Sequence, residues 1–136
     1  MIVGLGSDIV DIRRIEKMLS RFGEKFEKRV FSVGEQSRAR RRGNAGRNNN
    51  MASTYAKRFA AKEAFSKAVG TGFSRGVFMR DIEVVNLPSG QPTLKLTGNA
   101  QKAMLRLIPP QKTPSIQITL TDEYPTAQAL VIISAI

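Results

Sequence analysis

The sequence predicts an α+β fold, a small antiparallel sheet packed by one long helix, on three observations. Tyr55 through Val69 is built of strong helix formers with no Gly or Pro. The segments Met1 to Ser7 and Ala127 to Ala135 are apolar and strand-like, the second on both faces, which places it centrally or at a subunit contact. Between them, Leu87-Pro88-Ser89-Gly90 reads as the turn of a hairpin. At 136 residues the chain is expected to be one domain, 1–136, with a core of its own.

The elements follow in order. Ile2, Val3 and Leu5, flanked by glycines, form a buried strand with Asp8 at its end. Asp11 is the N-cap of a helix to about Phe22, with Ile12, Ile15 and Leu19 as its apolar stripe. Arg14, Met18 and Arg21 lie away from that stripe and make a basic surface with one methionine in it. Gly23 interrupts the helix, Glu24 to Phe31 resumes it, and Ser32 caps a short helix to about Arg41. Gly43 to Asn50 is a polar loop. The long helix stops at Val69, because Gly70-Thr71-Gly72 supplies a left-handed C-cap, and Phe73 to Gly76 is a loop. Met79 to Val85 and Leu94 to Leu96 are the hairpin strands. Gly98 to Leu107 is a short helix stopped by Pro109-Pro110, and Ser115 to Leu120 is a third strand, turned into the last by Tyr124-Pro125.

Composition narrows the chemistry. There is no cysteine and no histidine, which excludes disulfides, thiolate nucleophiles, Ser-His-Asp triads and His-bound zinc. A metal would have to rest on oxygen ligands, which favours Mg²⁺ or Mn²⁺. Met1 to Val10 is short and carries Asp8, so neither a signal peptide nor a span is expected, and the default is a cytoplasmic protein without a membrane partner. The net charge is +11, and between Arg13 and Arg47 twelve basic residues oppose four acidic ones. A field that lopsided attracts polyanions: nucleic acid, an acidic protein or a phosphate-rich cofactor. With two tyrosines, no tryptophan and no recognised DNA or RNA motif, a nucleic-acid-binding module is the weaker option.

Within the long helix, Phe59, Glu63 and Lys67 are four apart and share a face, with about 6 Å between successive Cβ atoms. A carboxylate and an ammonium above an aromatic ring could handle a metal and a phosphate. On spacing alone the simpler reading is a solvated Glu–Lys pair beside a core Phe. If this helix packs on the sheet, Asp8 and Glu63 can converge on one cation. Gly70 and Gly72 suit either a plain helix stop or a place where a ligand passes close to backbone, and Arg58 either pairs with a phosphate or lies along the helix.

The run from Arg58 through Gly72, RFAAKEAFSKAVGTG, closely resembles the signature helix of holo-[acyl-carrier-protein] synthases, the short phosphopantetheinyl transferases. GLGSDIVDIRRI, Gly4 to Ile15, is similar to that family's opening motif. Asp81 to Val84, Ser89 to Pro92 and Thr119 to Tyr124 keep the family's order and approximate spacing, and only Ala39 to Ser53 fits loosely. The resemblance implies the 4′-phosphopantetheinyl transferase fold. It also implies Mg²⁺-dependent transfer of the 4′-phosphopantetheine arm of coenzyme A to a serine of apo acyl carrier protein, releasing adenosine 3′,5′-bisphosphate. By resemblance Asp8 and Glu63 are the metal ligands, Lys67 contacts the pyrophosphate, and Lys62 is a third catalytic candidate. Arg58, Gly70, Gly72, Thr119 and Thr121 are expected at the coenzyme, and Arg14, Met18 and Arg21 on the helix that docks the carrier. Arg41, Arg42 and Arg47 are alternatives for holding the 3′-phosphate, a duty the family assigns to a neighbouring subunit of a homotrimer. The general base stays open between Glu63 and a metal-bound water. One departure stands out: many family members have histidine where this chain has Leu120, which cannot hydrogen-bond a phosphate. A non-catalytic carrier-protein adaptor would keep the basic helix but need neither Asp8 nor Glu63.

Overall fold

A computed structural model describes residues 1–44, 50–70 and 79–136. The chain forms β1 (Ile2–Asp11), α1 (Ile12–Phe22), α2 (Glu24–Val30), α3 (Val33–Asn44) and α4 (Asn50–Val69). A 3₁₀ turn (Met79–Asp81), β2 (Ile82–Asn86), β3 (Pro92–Leu96), α5 (Gly98–Leu105), β4 (Pro114–Glu123) and β5 (Thr126–Ala135) follow. The expected α+β class holds. β1, β5 and β4 make one antiparallel sheet with β5 in the centre, and β2 and β3 make a separate hairpin.

Local signals set several boundaries as expected. The Asp11 side chain accepts a hydrogen bond from the Arg13 amide and caps α1. Gly23, at φ 54°, separates α1 from α2. Gly70, at φ 80°, ends α4, its N–H donating to the Lys67 carbonyl at 3.1 Å. Ser32 and Glu35 form a reciprocal capping box at the start of α3: the Glu35 amide donates to Ser32 Oγ at 3.1 Å, and the Ser32 amide donates to Glu35 Oε1 at 2.9 Å.

Other boundaries move. β1 continues to Asp11, so Asp8 lies inside the strand rather than at its end, because β5 pairs with it along that whole length. α4 begins at Asn50 and α3 reaches Asn44, so both ends of the polar loop expected from Gly43 to Asn50 are helical, and residues 45–49 of it lie outside the described residues. Met79 to Asp81 turns before the hairpin instead of joining its first strand. The loop expected from Phe73 to Gly76 also falls outside the described residues.

α4 is buried on most of its circumference, by Ala52, Tyr55, Ala56, Phe59, Ala60, Ala61, Ala64, Phe65 and Ala68 among others. A helix apolar on most sides is a core element, and its alanines let neighbours approach its backbone. β1 takes most advantage. A Cβ on Gly6 would lie 2.0 Å from the Ala64 carbonyl oxygen and 2.7 Å from the Ala68 nitrogen, and one on Gly4 would lie 2.5 Å from the Ala68 oxygen. Only glycine permits that separation. Val10, Ile118, Ala127, Ala129, Val131 and Ile133 complete the sheet's inner, buried surface.

The outer surface of the sheet is different. Leu5 and Ile9 on β1 are 63% and 67% exposed, and Leu130 and Ile132 beside them on β5 are half-buried. β5, apolar on both faces and expected centrally or at a subunit contact, is the central strand and is buried on one face only within a single chain. No helix among the described residues is long and apolar enough to cross a membrane.

Gly6→Ala is expected to destabilise the protein by about 1–3 kcal/mol, the usual cost of overpacking. Ser7→Ala, on the exposed side of the same strand, should stay within about 0.5 kcal/mol. Thermal denaturation of both variants checks this, and an unchanged Gly6→Ala melting temperature would contradict the close contact.

Candidate active site

Asp8 and Glu63 meet because β1 lies directly on α4. Alternation along β1 puts Gly4, Gly6, Asp8 and Val10 on the inner surface, so the two glycines that touch the helix also aim Asp8 at it. Asp8 Oδ1 accepts from Lys67 Nζ at 2.9 Å, and the same ammonium donates to the Ser7 carbonyl at 3.1 Å. Lys67 remains half exposed while Asp8 is largely covered. Glu63, one turn before Lys67, is partly buried, and its carboxyl is pushed above the ordinary carboxylate range by that burial and then by the negative charge of Asp8. Lys67 and Arg14 act in the opposite direction.

This donor set fits a hard divalent cation. Asp8 lies close enough to raise the cost of ionising Glu63, and a cation would relieve that cost. No histidine or cysteine exists to bias the site towards a softer metal. Among the described residues no cluster of three or more His, Cys, Asp or Glu forms a complete protein cage. Mg²⁺ tolerates such a partial set, since it usually takes one or two carboxylates and fills its octahedron with water and substrate oxygens.

The aromatic ring beneath this group has a different companion from the one its spacing suggests. The Arg14 guanidinium sits 5.4 Å from the Phe59 ring centroid, so α1 reaches over to the face of α4 that carries Glu63. Met18 is half-buried against the core, and Arg21 covers the exposed Phe22 ring at 5.1 Å. Arg14, Met18 and Arg21 thus share one side of α1, and Arg14 borders the site.

Lys62 is elsewhere. Its side chain is fully buried, and Nζ donates to Glu35 Oε1 at 2.8 Å, to the Met79 carbonyl at 3.0 Å and to the Ile82 carbonyl. Consecutive helix residues point about 100° apart, so Lys62 faces α3 and the hairpin when Glu63 faces β1. Lys62, expected among the catalytic residues, thus has no exposed surface within one copy of the chain, and its partners tie α4 to α3 and the hairpin.

Arg58 is also buried, at 4% exposure, but it lines a pocket. Arg38, Arg42, Thr54, Lys57, Asn86, Pro92 and Leu120 share that pocket of about 160 Å³ with it. Arg58 Nη1 reaches only the Thr54 carbonyl, at 3.4 Å, while Nε is buried with no hydrogen-bond partner among the described residues. Burial, with Arg38 and Arg42 nearby, pulls its pKa down to about 10. Several cations and an unsatisfied donor around one small space describe an anion site. Arg42, one of the three alternatives read from sequence, is in it; Arg41 is exposed on α3, and Arg47 lies outside the described residues. Arg38 was missed in sequence, although its four-residue spacing from Arg42 places both on one helix face.

Thr119 and Thr121 do not join Asp8 and Glu63. In the register of β4, Thr119 pairs with Leu130 and Thr121 with Gln128, on the sheet's outer surface. Leu120, paired with Ala129 opposite Asp8, points inward. Strand alternation turns the two threonines, expected at the coenzyme, away from their own chain's carboxylates. Gly70 is open, with nothing within 4 Å of a Cβ built on it, and Gly72 lies outside the described residues.

The chain has known relatives along its whole length. A family model described as the 4′-phosphopantetheinyl transferase superfamily matches residues 4–129. The chain is 61% identical to the holo-[acyl-carrier-protein] synthase of Sphingopyxis alaskensis, over 100% of this chain and 98% of that one. The crystal structure of the Neisseria meningitidis holo-[acyl-carrier-protein] synthase superposes with TM-score 0.77 at 34% identity, covering 98% of this chain and 99% of that one. The Bacillus anthracis enzyme, solved in complex with CoA (3′,5′-ADP), superposes with TM-score 0.74 at 34% identity, covering 98% of this chain and 96% of that one.

Adding Mg²⁺ should raise the melting temperature, and more so at higher pH. Below the raised pKa of Glu63 a proton occupies the carboxyl; above it the ionised pair is destabilising until a cation binds. The shift should be larger at pH 7.5 than at pH 5, at about ten times the dissociation constant for Mg²⁺, and vanish in Asp8→Asn and Glu63→Gln. An equal shift in those variants would place the metal elsewhere.

Proposed function

This chain belongs to the 4′-phosphopantetheinyl transferase superfamily, among its holo-[acyl-carrier-protein] synthases, and from that premise we propose a Mg²⁺-dependent reaction at Asp8, Glu63 and Lys67. The 4′-phosphopantetheine arm of coenzyme A passes to a serine hydroxyl of apo acyl carrier protein. The serine Oγ forms a bond to the phosphorus bearing the pantetheine, the bridging P–O bond breaks, and adenosine 3′,5′-bisphosphate leaves. The observation that carries this reading is the juxtaposition of Asp8, Glu63 and Lys67 on one face of the β1–α4 contact.

Asp8 and Glu63 would hold Mg²⁺, which would neutralise the pyrophosphate and stabilise the charge growing on the leaving phosphate. Lys67, half exposed and anchored by Asp8, is free to turn its ammonium onto the same pyrophosphate and stabilise the leaving oxygen. The serine proton passes to Glu63 or to a water beside it, since the chain has no histidine to take it. The acidic carrier docks on α1, where Arg14, Met18 and Arg21 present positive charge and a small apolar contact beside the site. The absence of cysteine suits a cytoplasmic setting.

The coenzyme's 3′-phosphate belongs in the Arg38–Arg42–Arg58 pocket. Arg58 and Glu63 are five residues apart on α4, about 140° around the helix, so one copy presents the pocket and the carboxylates in different directions. This supports a site completed between copies. The uncovered outer surface with Leu5, Ile9, Leu130 and Ile132 offers the contact, and Thr119 and Thr121 on that surface would then face a neighbour's coenzyme. The assembly we propose is a homotrimer.

Mass spectrometry of apo carrier protein incubated with coenzyme A and Mg²⁺ should show addition of the phosphopantetheine mass. Glu63→Ala should abolish it, and Lys67→Met should lower kcat by roughly 10²-fold. Near-normal turnover by Glu63→Ala would sink the assignment. In the same assay, Arg14→Glu with Arg21→Glu should raise KM for the carrier while KM for coenzyme A barely moves; equal damage to both would take the carrier off α1. Analytical ultracentrifugation should find trimers, and a fully active monomer at micromolar concentration would remove the shared site.

A further inference from the structure

α3 carries Arg38 and Arg42 to the anion pocket, yet charge alone would drive it away. Both guanidiniums face the buried Arg58, so the three cations oppose the closing of α3 on α4. Two buried carboxylates hold α3 in place. Glu35, at 1% exposure, accepts from Lys62 Nζ at 2.8 Å and, through its other oxygen, from the Val84 amide at 3.0 Å. It thereby ties the first turn of α3 to α4 and β2. Glu27, at 5% exposure on α2, takes two donors on one oxygen: Tyr55 Oη of α4 at 2.5 Å and Arg40 Nη2 of α3 at 2.9 Å. Tyr55 is itself stacked on Phe31, with ring centroids 4.3 Å apart.

We propose that Glu27 and Glu35 are positioning residues for the anion pocket: the Tyr55–Glu27–Arg40 and Glu35–Lys62 links clamp α3 against α4 so that Arg38 and Arg42 face Arg58 before any anion binds. Arg40 lies two residues from both Arg38 and Arg42, so its link acts at the middle of the pocket's basic ridge. Glu35 precedes Arg38 by three residues on the side of α3 that also buries Ala39. A preformed pocket binds its anion without first ordering the helix that supplies the cations. The unsatisfied Arg58 Nε is the remaining donor that such an anion would complete.

The proposal rests on the reading that this pocket takes the 3′-phosphate, and one pair of ligands separates the two claims. Dissociation constants for coenzyme A and dephospho-coenzyme A, which lacks only that phosphate, are measured by calorimetry with Mg²⁺ present. The wild-type protein should prefer coenzyme A by about tenfold or more, equivalent to about 1.4 kcal/mol. A wild-type ratio near one overturns the reading of the pocket, and the positioning role with it. Tyr55→Phe keeps the ring stack and removes one donor to Glu27; Glu27→Gln with Arg40→Gln removes the charges of the second link. Each should cut the preference at least about threefold, roughly 0.7 kcal/mol, while affinity for dephospho-coenzyme A stays near wild type. Arg40→Lys should restore part of it. A wild-type preference that survives undiminished in Tyr55→Phe and in the double variant, or equal losses for both ligands, would make these links merely structural. Should the double variant fail to fold, Tyr55→Phe decides alone.

Discussion

The contact between β1 and α4 is the constraint on which the site depends. Gly4 and Gly6 let the strand lie on the helix backbone at Ala64 and Ala68, closer than any side chain would permit. Because strand residues alternate, the face that makes this contact also carries Asp8, and because helix residues repeat every three to four positions, the turn it touches also carries Glu63 and Lys67. Two carboxylates and an ammonium are brought together by backbone packing, and Asp8 and Lys67 then act on Glu63. Asp8 raises the proton affinity of Glu63, while Lys67 is anchored by Asp8 and lowers it.

A second set of constraints lies on the opposite side of α4. There the helix carries Lys62 and Tyr55, which reach α3 and α2 through Glu35 and Glu27. Removing one partner from a buried ion pair such as Lys62–Glu35 commonly costs about 3–5 kcal/mol, because the survivor is left charged in a poor solvent. Such pairs specify one placement of α3. That placement matters chemically, since α3 carries two of the arginines around the pocket at Arg58. α4 therefore serves two sites on two sides, a carboxylate pair against β1 and a cationic pocket against α3.

The sheet divides in the same way. Its inner surface holds Asp8, Ala129 and Leu120 in one row, packed under α4. Its outer surface holds Leu5, Ile9, Leu130 and Ile132 with Thr119 and Thr121. The hydrophobic effect leaves that surface unfinished in one copy, whereas the inner surface is complete. Leu120 shows what this means for chemistry. It sits at the edge of the cationic pocket, so a hydrophobic side chain, rather than a hydrogen-bonding one, borders the arginines.

By itself the sequence determined whatever depends on neighbours along the chain. Asp11 as N-cap, Gly23 and Gly70 as stops, the helix through Val69 and the turn before Gly90 are local choices of backbone conformation and capping, legible in a few residues each. The pairing of Asp8 with Glu63 and Lys67 was legible through the family motifs and through the four-residue spacing on one helix. What the tertiary structure decided are matters of facing. Lys62 adjoins Glu63 in sequence but is turned about 100° from it into a buried ion pair. Thr119 and Thr121 flank an inward Leu120 and so point outward, a fact set by the register of β4 on β5. Arg38 meets Arg58 across twenty residues, because Glu27 and Glu35 clamp two helices together. Contacts between distant segments depend on register and packing angle, which no local spacing encodes, and these placed the cations around the pocket and the threonines on the outer face.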